Sequence, residues 1–215
     1  MKKINLLVIV LIIMSYKANS QVHMIGIKNG INITNATSLN ANYRIGNNYG
    51  FLYEVLFKDK YSISIDLFYN QRGYNDKLSF TNEIGELQPT IVLYSYSDYF
   101  SFPVKFGYTK GNNLKKFINL GLIPSLLIDS QSSSPVLDSD GNITGTINYN
   151  SNNSLSNFDI GGLIELGLSY DVVEKINLFS SIMYSHSFNS FIENSINQNI
   201  RHSCFSLSFG VKYKI

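Results

Sequence analysis

The feature that most constrains the fold is the alternation in residues 204 to 215. Phe205, Leu207, Phe209, Val211, Tyr213 and Ile215 interleave with Ser206, Ser208, Gly210, Lys212 and Lys214. Successive side chains leave a β-strand on opposite faces, so a strict period of two gives one apolar face and one small or polar face. Left as an exposed sheet edge, such a strand would invite pairing between molecules. Pairing on both sides removes that hazard, and closure of this last strand on the first one provides it.

The same alternation recurs upstream. Ile25, Ile27, Asn29, Ile31 and Ile33 oppose Met24, Gly26, Lys28, Gly30 and Asn32; Tyr49, Phe51, Tyr53, Val55 and Phe57 oppose Gly50, Leu52, Glu54, Leu56 and Lys58. Tyr61 to Asn70 and Phe100 to Thr109 follow the rule, as do Asp159 to Asp171 and Ile176 to Ser185. Residues 117 to 128 are apolar on both faces, with Asn119, Gly121 and Ser125 sharing one side. The predicted connections alternate in length. Lys58 to Lys60, Lys110 to Lys115 and Val173 to Lys175 are tight turns, whereas Thr34 to Asn48, Gly73 to Pro89, Asp129 to Ser154 and Asn189 to Ile200 are long and polar. A meander with short turns at one end and long loops at the other is the pattern of an outer-membrane barrel. The expectation is an all-β fold: a closed, eight-stranded, antiparallel up-and-down transmembrane β-barrel, its first strand paired with its last and both termini periplasmic.

The choice of lipid-facing side follows from bulk and charge. An eight-stranded barrel is barely wide enough for its own side chains, so the Phe, Tyr, Leu and Ile face belongs outside. Within the assigned strands that face carries no Lys, Arg, Asp or Glu, and a base at the bilayer midplane costs about 2–4 kcal/mol. Tyr49, Tyr61, Tyr69, Tyr108, Tyr170, Tyr184 and Tyr213 fall near strand ends on that face, where amphipathic rings favour a membrane interface.

Residues 1 to 20 read as a cleaved secretory signal peptide: Lys2 and Lys3 lead an apolar run from Ile4 to Met14, and Ala18-Asn19-Ser20 supplies a small-x-small site. Residues 21 to 215 are then the barrel domain. Removing Lys2, Lys3 and Lys17 leaves 14 basic and 15 acidic side chains, so the formal net charge of +2 is no argument for nucleic acid. Cys204, the single cysteine, cannot form an internal disulfide and reads as a small apolar residue of the wall.

Several short motifs carry a family resemblance: Gly26-Ile-Lys28-Asn-Gly30-Ile-Asn32, Leu67-Phe-Tyr69-Asn-Gln71-Arg72-Gly73, Phe102-Pro103-Val-Lys105, Gly121 with Pro124, Asp159 with Gly161, and Gly210-Val-Lys212-Tyr213. In order and spacing they resemble the PorT-type outer membrane protein beta-barrel domain family, over nearly the whole of residues 21 to 215. The resemblance implies a small barrel in the outer membrane of a Gram-negative bacterium with no shared catalytic residues; one member is associated with protein secretion. The partners expected are outer-membrane lipid and lipopolysaccharide, the barrel-assembly machinery during insertion, and an extracellular or envelope protein held by the loops.

The inward face collects Lys28, Glu54, Asp66, Lys105, Glu165 and Lys212, three of each sign, four to seven residues from the short-turn end. They are expected to form an ion-pair network that fills and neutralises a narrow lumen, because buried charges are tolerable when paired. The function expected is binding, adhesion or envelope support through the loops. A narrow porin-like channel is the alternative, and a lipid-modifying enzyme the third reading. For the enzyme, His186, Ser187 and Glu193 are the candidates, but adjacent strand residues face opposite ways and Phe188 stands where a serine on the histidine's face would be. Asp138-Ser-Asp140-Gly141-Asn142 resembles the start of a calcium loop without its downstream Glu; Asp-Gly between Pro135-Val-Leu137 and Ile143 to Tyr149 reads better as a hairpin tip. His23 and His202 have no metal-ligand spacing. No cofactor is implied.

Overall fold

The computed structural model describes residues 21–37, 41–79, 81, 85, 90–138, 143–192 and 200–215. The predicted signal peptide, Glu193 and Asp140-Gly141-Asn142 lie outside them. The strands are β1 (Gln21–Thr37), β2 (Arg44–Phe57), β3 (Tyr61–Leu78), β4 (Ile91–Ser101), β5 (Val104–Gly111), β6 (Leu114–Leu137), β7 (Ile143–Asn150), β8 (Phe158–Val173), β9 (Ile176–Ser187) and β10 (Arg201–Lys214). Among the described residues no helix is long and apolar enough to cross a membrane.

The ten strands make eight staves. β4 and β5 form one stave, interrupted at Phe102-Pro103 because proline has no N–H for the ladder. The ladder is spliced across the gap: the Pro103 carbonyl accepts from the Asp66 N–H at 3.0 Å, and the Phe102 N–H donates to the Pro124 carbonyl at 2.8 Å. β7 is an outgrowth that pairs only with the far half of β6. Each stave is antiparallel to its chain neighbour, and β10 pairs with β1 over Met24↔Lys214 to Thr37↔Arg201. Following the register from Met24 through Glu54, Ser64, Lys105, Gly121, Leu163, Ser185 and Cys204 leads back to β1 at Thr34, ten residues beyond the start. The ring is closed, and this stagger obliges the strands to tilt against the barrel axis.

Burial separates the two faces. Phe51 is 65% exposed and Phe209 59%, whereas Lys28 is 5% exposed and Asp66 1%. The apolar belt is rimmed by aromatic contacts, Tyr61–Tyr108 at the turn end (ring centroids 5.6 Å) and Tyr49–Tyr69 (5.0 Å) and Tyr184–Phe205 (4.7 Å) towards the loop end. Charges reach the outer face beyond the strands assigned from sequence: Lys110 and Lys116 at the turn end, Asp98 at the loop end.

Two of the expected long loops are shorter than predicted. β1 continues to Thr37 and β2 starts at Arg44; β3 continues to Leu78, pairing with β4 as far as Ile91. The alternation is hidden at Gly73, which has a φ of 155° and where a Cβ would lie 2.1 Å from the Ser95 carbonyl oxygen, so no side chain is admitted without a shift. At the turn end Lys58 (φ 51°) and Asp59 (φ 55°) adopt the left-handed conformations that a tight hairpin turn requires.

Candidate functional site

From the turn end upward, the lumen is a stack of layers. The lowest holds Lys212 paired with Glu54, set among the inward apolar side chains Leu52, Phe117 and Phe179. The Lys212 ammonium lies 5.3 Å from the Phe117 ring centroid and 4.9 Å from that of Phe179, which adds cation–π attraction to the ion pair. Phe117 and Phe179 fit because the facing positions are glycines, Gly167 and Gly210.

Above this sits a chain of four charges. Lys28 Nζ lies 2.6 Å from Asp66; Lys105 Nζ bridges Asp66 at 2.9 Å and Glu165 at 2.8 Å. Glu165 also accepts from Asn119 and Ser181, both at 2.8 Å. The layer is neutral, and Lys28 stacks 4.1 Å over Phe68. The six residues singled out from sequence are thus all inward and buried, divided into a chain of four and a separate pair. The cavity between them measures about 10 Å³, roughly the space of one water.

An apolar plate of Phe68, Ile123, Leu163 and Met183 covers the charges. Next come small polar residues knit by hydrogen bonds: Asn32 Oδ1 accepts from Asn48 at 2.6 Å and Ser206 at 2.7 Å, and Ser101 and Ser125 are 2.8 Å apart. Above them lies a pair not foreseen from sequence, Arg72 with Asp159, braced by Ser125 on the arginine (2.9 Å) and Ser187 on the carboxylate (2.8 Å). The signal for it was available, since Arg72 continues the inward parity of Asp66, Phe68 and Asn70. Arg72 lies 4.7 Å from the Tyr99 ring, and the Tyr99 hydroxyl meets His202 Nε2 at 3.3 Å. His202 stacks on Phe191 at 3.8 Å, under a cap of Ala36, Leu155, Phe191 and Ile200.

The remaining sequence candidates do not converge. Ser187 points inward onto Asp159, while His186 lies on the opposite face of β9. His23 bonds the Tyr53 hydroxyl at 2.7 Å. Among the described residues no three of His, Cys, Asp and Glu gather as metal ligands would. Beyond the cap, β6 and β7 form the predicted hairpin from Gln131↔Asn150 to Leu137↔Ile143, and every residue of β7 is exposed, Ile143, Ile147 and Tyr149 included.

Comparison with known proteins adds a family. Residues 18–193 match the family model described as outer membrane protein beta-barrel domain. Among solved structures, the Neisserial surface protein A, NspA, is similar with a TM-score of 0.50 and 15% identity, covering 90% of this chain and 97% of that one. OprG from Pseudomonas aeruginosa gives 0.48 and 12%, over 90% and 96%, and Ail of Yersinia pestis 0.43 and 10%, over 91% and 99%. No curated protein matches. At these identities the structural likeness concerns the fold alone.

Proposed function

The chain belongs to the outer membrane protein beta-barrel domain family, and from that premise we propose that this small barrel of the bacterial outer membrane acts by binding, through the sheet and loops at the end opposite its termini. The observation that carries the reading is the filled lumen. Three charge layers, an apolar plate, a band of small polar residues and an apolar cap fill it, and the cavity at the charge chain is about 10 Å³. A stack of this kind opposes passage of a hydrated solute, which leaves outward-directed recognition to the surface beyond the apolar belt. There the β6–β7 hairpin presents Ile143, Ile147 and Tyr149 to solvent, side chains suited to contact with a protein partner. Short turns and termini on the periplasmic side would put this hairpin outside the cell.

The motif order from Gly26-Ile-Lys28 to Gly210-Val-Lys212 supports a narrower kinship with the PorT-type members. The six-residue charge set is read as structural: it neutralises the lumen and holds its staves together. Single-channel recording in planar bilayers tests the plugged barrel. Silence at all voltages that the bilayer tolerates is expected; reproducible conductance steps would overturn the reading in favour of a narrow channel.

A further inference from the structure

The turn end carries an unbalanced basic collar. Lys58 and Lys60 flank Asp59 in the first turn, Lys110, Lys115 and Lys116 surround the second, and Lys175 and Lys214 stand at the third turn and the last strand. Asp171 is already engaged by Lys115 at 2.9 Å and Lys214 at 3.2 Å, and Asp59 and Glu174 sit exposed in their own turns. Among the described residues none of Lys60, Lys110 and Lys116 has an ion-pair partner.

Two of these lysines are in a position that β-structure ordinarily avoids. Lys110 of β5 and Lys116 of β6 are register partners, both exposed on the outer face. Like charges directly opposite on one face repel and destabilise a sheet. Just inside the belt are Tyr61 and Tyr108, also register partners, whose rings meet at a tilt of 57° beside the path an acyl chain would take. Two cations next to an aromatic pair at the edge of an apolar belt match a lipid whose headgroup is negative and whose tail lies along the barrel wall.

We propose that Lys110 and Lys116 bind the headgroup phosphate of an anionic phospholipid, and that this anion offsets the repulsion built into the Lys110–Lys116 pair. Charge complementarity selects the occupant; the site rests on the barrel lying in a membrane and not on which way its termini point.

The test compares the full chain with the Lys110→Gln/Lys116→Gln variant, both refolded into bilayers of phosphatidylcholine alone and of phosphatidylcholine with phosphatidylglycerol. The midpoint of heat-induced unfolding is read from gel mobility. In phosphatidylcholine the variant, freed of the repulsion, should melt at or above the wild type. With phosphatidylglycerol the order should reverse, and the reversal should fade at about 1 M salt, where screening shortens to roughly 3 Å. The same order in both bilayers would overturn the site, and so would inorganic phosphate raising the wild-type midpoint as far as phosphatidylglycerol does. Failure to insert into either bilayer overturns the membrane reading and the site with it, whereas insertion with an unchanged order overturns the site alone.

Discussion

Lys212 of the last strand pairs with Glu54 of β2, reaching across β1 instead of meeting a charge on its own neighbour. The crossing is possible because β1 presents Gly26 opposite Lys212, where a Cβ would lie 2.5 Å from the Val211 carbonyl oxygen and 3.2 Å from Leu52. The ion pair therefore ties three staves at the seam.

Glu54→Leu should leave Lys212 as an uncompensated buried charge and cost about 3–5 kcal/mol of stability. The Glu54→Leu/Lys212→Met double variant should recover most of the loss, since replacing a whole buried pair by apolar side chains is often neutral or stabilising. Urea unfolding in bilayers measures both; equal losses in single and double variants would count against the pair.

Gly167→Ala places a methyl group 2.2 Å from Phe117 Cζ and 2.5 Å from the Ser180 carbonyl oxygen. Overpacking of this kind costs about 1–3 kcal/mol. Adding Phe117→Leu should recover part of it, a non-additive result that the same unfolding measurement detects.

Closure of the ring is open to direct chemical test. Ile31 and Leu207 are register partners with exposed side chains, and opposed Cα atoms about 4.5–5.5 Å apart lie within disulfide reach. In the Ile31→Cys/Leu207→Cys variant, oxidation should cross-link the ends of the chain within one molecule, visible as a shift in gel mobility reversed by reductant.

Cys204 is 2% exposed and sits 3.4 Å from the Ser206 hydroxyl. A maleimide reagent should leave it unmodified in the folded barrel and label it fully once the chain is unfolded, as mass spectrometry would show.

The exposed β7 surface should tolerate change. Ile147→Lys with Tyr149→Ser alters side chains at 57% and 48% exposure, and stability should stay within about 0.5 kcal/mol of the wild type by heat-modifiability.

What the sequence made legible was everything with a period of two: the facing of Phe205 and Ser206, the inward set from Lys28 to Lys212, and the seam between β1 and β10. What it hid depends on relations between strands. That Lys105 joins Asp66 to Glu165 while Lys212 turns to Glu54 follows from the stagger of the staves, which no single strand records. That Phe117 and Phe179 pack into the lumen depends on Gly167 and Gly210, which face them from neighbouring strands. Arg72 was visible as a motif residue, but its partner Asp159 lies on β8, which does not pair with β3, and is brought close only by the curvature of the wall.

The seam has a kinetic consequence. Met24 pairs with both Glu54 and Lys214, so one of its edges is satisfied by a local hairpin and the other by the far end of the polypeptide. Every other junction between staves can zip from a nearby turn or loop, whereas this one waits for all of them, because loop closure over the whole chain is favourable only after the intervening strands have shortened the distance. Membrane insertion of this chain should therefore be timed by its last junction, and substitutions at Ile31 or Leu207 should slow the appearance of the heat-resistant form more than equivalent substitutions at Ile65 or Leu166.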